Sequence, residues 1–304
     1  MSLRRNTNPF APIGNASRPS GKVQRSTSIG SRATRTGFTL IIHATGSLMW
    51  RSCERYTQKL LIEGEAFEQD IAAYAEYALT NQGKQLRPVL VALSGGAAGR
   101  LTDGHVMAAV IIEMVHLATL VHDDVMDEAQ IRRGRPSLAA RWGSEIAVLV
   151  GDCLFAHALR LAAGFPTTEV CRAVSSATNT VCSGEILQTQ RRRQFDLPQS
   201  EYFRIIEMKT GELFALSCDL GACLSGAPAP ARDALREFGM ALGTAYQVYD
   251  DCLDLFGSEA AVGKSLGTDL AKGKLTLPIL LTLEGASGTR SEEHTSELQS
   301  PYVI

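Results

Sequence analysis

The sequence predicts an all-α protein, and two observations carry that prediction. Hydrophobic residues make up 45% of the 304 residues and aromatic residues only 6%. Helix-forming Ala, Leu, Glu and Lys are common, whereas runs of β-branched residues, which favour strands, are rare. From Cys53 onward, apolar residues such as Leu60, Phe67 and Ile71 recur at spacings near three and four, as in a helix with one buried face. We therefore expect one domain of packed helices from residue 51 to residue 289.

The two ends of the chain differ from this domain. Residues 1–50 are rich in Ser, Arg, Thr, Asn, Gly and Pro without periodicity, so they bury too little apolar surface to offset the ordering entropy. We expect them to be disordered, and either transit-peptide-like or a spurious extension from an upstream start codon. "RSEEHTSELQS" (290–300) resembles a translated DNA-sequencing adapter. We expect residues 290–304 to be adapter-derived and the C-terminal helices of the domain to be missing.

Charge and cysteine usage exclude several classes of protein. Residues 1–53 hold eight Lys or Arg and no acid, so the rest of the chain has 22 bases against 32 acids. A nucleic-acid binder needs a basic folded face, so we expect none. Seven scattered cysteines without CxxC spacing indicate neither a disulfide framework nor a zinc site.

We predict no membrane span, because no stretch reaches about 18 uninterrupted apolar residues. The expected location is the cytoplasm, or an organelle if residues 1–50 are a transit peptide.

The helices are predicted in order between Gly- and Pro-containing breaks. "NQGKQLRP" (81–88) ends the first helical region, and Thr102 and Asp103 offer an N-cap for a helix over 104–127. Beyond "SEAAVGKSLGTDLAKGK", a loop with a short helix, "LTLPILLTLEG" begins another helix. Four further helices are separated by "GFP", "FDLP" and "SGAPAP": 144–163, 167–192, 199–224 and 231–256.

An acidic ladder ends the predicted helix over 104–127. Asp123, Asp124 and Asp127 form D-D-x-x-D, and the i, i+4 spacing places Asp123 and Asp127 on one helix face. Two such carboxylates about 4 Å apart repel by roughly 4 kcal/mol at an effective dielectric of about 20. Acids at a helix C-terminus also oppose the macrodipole. A solvated helix end is the plainer alternative, but the cost of this placement predicts that something positive lies between the carboxylates.

The same pattern recurs at Asp250, Asp251 and Asp254, again after apolar residues of a predicted helix. Two ladders facing each other across a cavity suit Mg²⁺, which prefers oxygen ligands and shares them with phosphates. Cations suited to diphosphate oxygens accompany the ladders, although for any one of them a surface salt bridge is the alternative. These are Lys84, Arg87, Arg132, Arg133, Lys209, Lys264 and Lys274.

Residues 53–289 resemble the polyprenyl diphosphate synthases, which are trans-prenyltransferases. The resemblance rests on the order and spacing of five segments: "GKQLRP" (83–88), "HDDVMDEAQIRRGRP" (122–136), "GDCLFA" (151–156), "MKTGELF" (208–214) and "YQVYDDCLDLFG…GKSLGTDLAKGKLTLP" (246–278). The resemblance implies a helical bundle around a deep central cavity and a homodimer. It also implies head-to-tail condensation of isopentenyl diphosphate with an allylic diphosphate, using Mg²⁺, with three ions when substrate is bound.

The resemblance also assigns roles to particular residues. Asp123, Asp127 and Asp250 are implied as direct Mg²⁺ ligands, and Asp124, Asp251 and Asp254 as further ligands or holders of bound water. Arg132, Lys209, Lys264 and Lys274 are implied to hold the allylic diphosphate, with Thr210 and Gln247 at its reacting end. Lys84, Arg87, His116 and Arg133 are implied to hold isopentenyl diphosphate. Of these, Asp123, Asp127, Asp250, Lys209 and Lys264 are the expected catalytic residues.

The product length is predicted from the helix that carries the first ladder. Helical side chains lean towards the N-terminus, so residues a turn or more before Asp123 should line the tunnel for the growing chain. Ala118 and Thr119 are small, where short-chain members of the family carry an aromatic plug. We therefore expect an all-trans product longer than C20, unless Ala118 is small only for helix packing.

Three alternatives remain open. A short-chain synthase that makes farnesyl or geranylgeranyl diphosphate would differ in product length. A terpene cyclase usually lacks a second D-D-x-x-D and "GKQLRP". A non-catalytic regulatory subunit of a heteromeric synthase usually lacks one or both ladders, and both are present here.

Overall fold

The computed structural model describes residues 47–80, 83–257 and 267–285. These residues all belong to one compact unit, Thr45–Ile304. The expectations for residues 1–46, for Lys264 and for residues 290–304 lie outside the described residues. The division of the chain at residues 51 and 289 stays a prediction.

The described residues are almost entirely helical, which confirms the all-α prediction. The helices run, in chain order: α1 Ser47–Glu65, α2 Gln69–Thr80, α3 Leu86–Ala98, α4 Asp103–Met126, α5 Leu138–Trp142, α6 Ser144–Ala163, α7 Thr168–Gln190, α8 Gln199–Ile206, α9 Glu212–Leu224, α10 Ala229–Phe256, α11 Thr268–Ala271 and α12 Leu277–Gly285. Within these ranges, the predicted boundaries of α4, α6, α7 and α10 agree to within two residues.

Helix α3 was not predicted as a separate element. It begins at Leu86, inside the predicted break, so placing Arg87 in a loop was wrong. Pro88 marked that break because proline lacks an N–H donor. The N–H groups of a helix's first turn have no partner within the helix, so proline is tolerated there. Pro88 therefore lies in the first turn of α3 and does not end a helix.

The predicted helix over 199–224 is interrupted by a π-helical segment, Glu207–Gly211, between α8 and α9. A π segment inserts an extra residue into a helix and is frequent at functional sites. Periodicity does not reveal it, because the apolar pattern on both sides still reads as one helix.

A short β-hairpin after α4 was also missed. Strands β1, Ile131–Arg132, and β2, Arg135–Pro136, pair antiparallel. The two residues between them, Arg133 and Gly134, have φ of 54° and 75°, which is the conformation of a type I′ turn. The hairpin brings Arg132 back to Asp124 of the first ladder.

Helix α4 forms the centre of the main core and packs most extensively against α6, with further contacts to α3, α9 and α1. Ile111, Ile112 and Met114 of α4 are fully buried there. A second, smaller core joins α8 to α12 through Tyr202, Ile206 and Leu280. The two ladders therefore lie at the ends of α4 and α10, each held by a packed apolar core.

Two described helices, α4 and α6, are long and apolar enough to span a membrane by length and composition. The expectation of no membrane span required a run of apolar residues without interruption, whereas the test on these helices uses mean hydropathy and tolerates a few charged residues. Helix α4 is 72% buried over its most apolar window, and the buried core helix of a helical bundle passes the same test.

Candidate active site

The first ladder ends α4 and is surrounded by cations. Asp123 lies in the last turn, and Asp127 is the C-terminal cap. Lys209 Nζ lies 3.9 Å from Asp123 Oδ2, and Lys274 Nζ donates to Asp127 Oδ2 at 2.8 Å. The charges expected from the repulsion between these carboxylates are thus present.

Asp127 has more cationic partners than the sequence predicted. Arg192 Nη2 lies 3.3 Å from Asp127 Oδ1, and Lys272 Nζ lies 3.6 Å from the same oxygen. Burial raises the pKa of Asp127, but the combined effect of Lys274, Lys272 and Lys209 is larger and lowers the pKa below its usual value. Asp127 is therefore ionised at neutral pH.

Asp124, the middle acid, lies in a different environment. It is 4% exposed and accepts a hydrogen bond from Arg132 Nε at 2.7 Å. Burial raises the pKa of Asp124 in spite of this arginine. The hydrogen bond to Asp124 holds the Arg132 guanidinium beside the other two carboxylates of the ladder.

In the second ladder, on the last turns of α10, neutral donors hold Asp251. Tyr202 Oη donates to Asp251 Oδ2 at 2.7 Å, and Gln247 Nε2 donates to Asp251 Oδ1 at 2.8 Å. Asp254 is 2% exposed, and Asp254 Oδ2 accepts from the backbone N–H of Asp269 at 3.2 Å. Burial raises the pKa of Asp251 to about 6.

Two chains of contacts connect the ladders to neighbouring elements. Lys274, which donates to Asp127, also lies 3.6 Å from Asp269 Oδ1, and the backbone of Asp269 in turn holds Asp254. One residue after Lys209, Thr210 Oγ1 donates to Gln247 Oε1 at 2.7 Å. Because Lys209 and Thr210 both belong to the π segment, that segment contacts the first ladder and the Gln247–Asp251 pair of the second.

Sequence reasoning missed the residues on α7 that hold Lys209. Glu185 forms an ion pair with Lys209 at 2.5 Å, and Gln188 Oε1 accepts from Lys209 Nζ at 3.0 Å. Burial lowers the pKa of Lys209, but Asp123 and Glu185 outweigh it and raise the pKa. A usable signal was present, because Glu185 and Gln188 are spaced i, i+3 and so share one helix face.

The residues assigned by resemblance to isopentenyl diphosphate form a second cationic group. Lys84 Nζ lies 5.4 Å from the centre of the Tyr246 ring, and the Arg87 guanidinium lies 4.7 Å from that of Phe214. A Cβ built on Gly83 would lie 2.6 Å from Arg133 Nη2, so Arg133 lies directly against the loop of Lys84.

Glu113 supplies negative charge to this cationic group and was also missed. It is 2% exposed. Burial lowers the pKa of Arg87 to about 10, and Glu113 opposes that shift. Burial, Arg87 and Arg133 lower the pKa of His116 well below its usual value. His116 is therefore neutral at pH 7.

Ala118 is fully buried in the main core, and Thr119 Oγ1 donates to the backbone oxygen of His116 at 2.7 Å. A cleft of about 350 Å³, counted with its open mouth, lies on a neighbouring face of α4. Its wall includes Leu117, Leu120 and Val121 but neither Ala118 nor Thr119. The tunnel role of the two small residues stays a prediction.

The donor chemistry of the ladders fits Mg²⁺. Carboxylate oxygens are the ligands that this ion prefers, and Mg²⁺ usually completes its octahedron with water and substrate phosphates. Within the ranges that the structure describes, no three His, Cys, Asp or Glu side chains converge on one point.

Comparison with known proteins agrees with this site. The sequence profile of the polyprenyl synthetase family matches residues 68–300, and the chain belongs to that family. It is 40% identical over 209 residues to heptaprenyl diphosphate synthase component 2 of Geobacillus stearothermophilus, covering 69% of this chain and 65% of the relative. It is 37% identical over 215 residues to geranylgeranyl diphosphate synthase of Methanosarcina mazei, covering 69% and 66%. The chain thus spans just under two thirds of the length of these two curated relatives.

Solved structures show the same fold. A polyprenyl synthase from Caulobacter crescentus CB15, complexed with calcium and isoprenyl diphosphate, superposes with a TM-score of 0.75 at 34% identity, covering 84% of this chain and 81% of that one. Other curated relatives are named octaprenyl and nonaprenyl diphosphate synthases. Because the relatives' names run from geranylgeranyl to nonaprenyl, membership of the family leaves the product length open.

Proposed function

We propose that this protein is a Mg²⁺-dependent trans-prenyltransferase that condenses isopentenyl diphosphate with an allylic diphosphate. One observation carries the proposal. Lys274 contacts Asp127 of the first ladder and also Asp269, whose backbone N–H donates to Asp254 of the second ladder. Two acidic ladders joined by lysines are suited to a metal-bound diphosphate. The calcium and isoprenyl diphosphate named for the Caulobacter relative support this choice of ligand.

In the proposed reaction, the carbon–oxygen bond of the allylic diphosphate breaks, and charge develops on both fragments. The allylic carbon forms a new bond to the double bond of isopentenyl diphosphate, and the proton that this substrate then loses goes to the released diphosphate. Bound Mg²⁺ would neutralise negative charge on the departing diphosphate. Lys209 and Lys274, already beside the ladder carboxylates, would stabilise the same charge with fixed donors. We propose that Lys264, outside the described residues, acts with them, as the resemblance implies. Thr210 and Gln247 would face the reacting end through their hydroxyl and amide dipoles.

The second substrate would bind at the group formed by Lys84, Arg87, Arg133 and His116. Arginine offers a bidentate fork and lysine a point charge to diphosphate oxygens. Neutral His116 can donate one hydrogen bond without adding charge. Glu113 would limit the repulsion between Arg87 and Arg133 until isopentenyl diphosphate arrives.

The finer part of the proposal is a product longer than C20, with three Mg²⁺ ions at the substrate-bound site and a homodimeric protein. The small Ala118 and Thr119 support the long product. Exposed Leu149 and Ile186, each 59% exposed on α6 and α7, support an interface between subunits. The name "component 2" of the Geobacillus relative makes a heteromeric assembly the competing possibility. The native mass of the purified protein distinguishes a homodimer from a heteromer.

The test is incubation with labelled isopentenyl diphosphate, an allylic primer and Mg²⁺, followed by chromatography of the dephosphorylated products. We expect products that extend beyond C20, that require metal and that disappear in Asp123→Ala. Glu128→Gln, an exposed acid next to the ladder, is the matched control and should retain activity. No product from folded wild-type protein would favour the regulatory-subunit alternative.

The product length has a separate test, Ala118→Phe. If Ala118 lines the tunnel, the larger ring blocks elongation and the main product becomes shorter. Overpacking a buried site costs about 1–3 kcal/mol, so Ala118→Leu and Thr119→Phe accompany it, with melting temperatures as the folding control. An unchanged product length in all three folded variants would contradict the tunnel assignment.

A further inference from the structure

Arg192 and Lys272, to which the resemblance assigns no role, reach Asp127 from two different turns. Arg192 Nη2 lies 3.3 Å from Asp127 Oδ1. Lys272 Nζ donates to the backbone oxygen of Asp127 at 2.5 Å and lies 3.6 Å from Oδ1. Both are partly buried, with side-chain exposures of 27% and 28%. Two cations thus join Lys209 and Lys274 at one end of the first ladder.

The turns that carry these two residues are fastened to each other. The backbone N–H of Arg193 donates to the oxygen of Gly273 at 2.8 Å. Gly273 has a φ of +72°, and a Cβ there would lie 2.5 Å from Arg193 Cγ, so the position favours glycine in both conformation and space. Arg192 and Lys272 are therefore held side by side by backbone contacts and do not reach Asp127 as two independent surface residues.

Arg192 also keeps an unused donor. Its Nε atom is buried, and it has no hydrogen-bond partner among the described residues. Nearly all buried side-chain donors in proteins are paired, so an exception calls for an explanation. An oxygen-rich anion lying against the guanidinium would satisfy Nε–H while Nη2 stays near Asp127.

We propose that Arg192 and Lys272 form an additional cationic arm that binds the diphosphate oxygens of the allylic substrate when Mg²⁺ occupies the first ladder. The inference rests on the proposed function. Asp127 would be among the residues that hold Mg²⁺, and its carboxylate would then be less available to Arg192 and Lys272. The two side chains would turn to the diphosphate oxygens, which arginine and lysine both suit.

The surroundings make this binding dependent on metal. Without Mg²⁺, the carboxylates of Asp123 and Asp127 repel an anion, and Asp127 competes with it for the arm. With Mg²⁺, the carboxylate charge is neutralised and the arm becomes available. Inorganic diphosphate is therefore a suitable probe, because it carries the recognised group without the prenyl chain.

The test is titration calorimetry of the full-length protein with inorganic diphosphate, with and without Mg²⁺. We expect Arg192→Gln and Lys272→Gln each to weaken Mg²⁺-dependent diphosphate binding about tenfold, and Arg192→Lys to recover part of the loss. Arg191→Gln is the matched control, because it removes the same charge from the same turn while Arg191 pairs with Glu201. It should bind within about twofold of wild type, and melting temperatures confirm that all variants fold.

Affinities of Arg192→Gln and Lys272→Gln equal to that of Arg191→Gln would overturn the inference. Tighter diphosphate binding in Arg192→Gln would also overturn it, since Arg192 would then only shield Asp127 from ligand. Failure of the proposed function looks different. In that case wild type itself shows no Mg²⁺-dependent diphosphate binding, and no comparison of variants is needed.

Discussion

Asp127 of the first acidic ladder and Asp251 of the second have opposite kinds of support, although the two ladders share one sequence pattern. At the first, Arg192, Lys272 and Lys274 contact Asp127, and lysines lower its pKa. At the second, a phenol, an amide and a backbone N–H contact Asp251 and Asp254, and burial raises the pKa of Asp251 to about 6. Identical spacing therefore does not produce identical chemistry.

The difference indicates a division of labour. In the proposed reaction, the cations that face Asp127 would lie where diphosphate charge develops, so the first ladder would serve catalysis as well as metal binding. Neutral donors hold Asp251 in place but compensate less charge. The second ladder would therefore serve mainly to hold metal, with a carboxyl group whose pKa burial raises to about 6.

The largest expected effect is that of Asp127→Asn, which removes the charge that three cations contact. Activity should fall by a factor of about 10²–10³, the usual loss when one charge-stabilising group is removed from a reaction centre. Lys274, which is 9% exposed, would also lose the nearer of its two anionic partners, so the melting temperature should fall. Turnover and thermal unfolding of Asp127→Asn and the Glu128→Gln control measure both effects. A loss of activity no larger than that of the control would remove the catalytic role of the first ladder.

Part of this comparison could be predicted from the sequence. Lys209 and Lys274 lie at the first ladder and Thr210 and Gln247 at the second, because their motifs are local and the helices that carry the ladders are strongly periodic. Coulomb repulsion predicted positive charge between Asp123 and Asp127, and the structure has a lysine beside each of them.

The remaining contacts could not be predicted, since they depend on tertiary packing. Arg192 and Lys272 approach Asp127 only because two turns far apart in sequence share a backbone hydrogen bond. Tyr202 reaches Asp251 across 49 residues from a helix whose periodicity indicates only a buried face. The π segment that presents Lys209 has no apolar signature. A residue's type and spacing predict its helix face, but they do not identify the side chain from another element that meets it.

A smaller effect is expected for Asp251→Asn, seen in the pH dependence of stability. The folded pKa of about 6 lies above the usual Asp value of about 3.9, so the folded state binds a proton that the unfolded state has released. Wild-type stability relative to the variant should therefore fall as pH rises from about 4 to about 6, by on the order of 3 kcal/mol. Urea unfolding at several pH values measures this difference.

The control for that experiment is Asp152→Asn, which removes a carboxylate that is 62% exposed and lies on α6. This variant measures how the removal of an exposed carboxylate changes stability over the same pH range. Parallel pH profiles for wild type and Asp251→Asn would show that neutral donors compensate Asp251 as fully as cations compensate Asp127.

The smallest effect is expected for Tyr202→Phe, and it tests the neutral support most directly. The hydroxyl donates to Asp251 at 2.7 Å, and this hydrogen bond lowers the pKa of Asp251, which burial raises. Its loss should cost about 1–3 kcal/mol of stability and raise the pKa of Asp251, so that activity declines at a higher pH on acidification. Tyr77→Phe is the matched control, since it removes a hydroxyl that donates to the backbone oxygen of Pro136 at 2.8 Å. If both variants keep the wild-type pH profile of activity, Asp251 does not act at the second ladder as a charged ligand. If only Tyr202→Phe shifts that profile, a neutral hydrogen bond controls the charge state of the ladder.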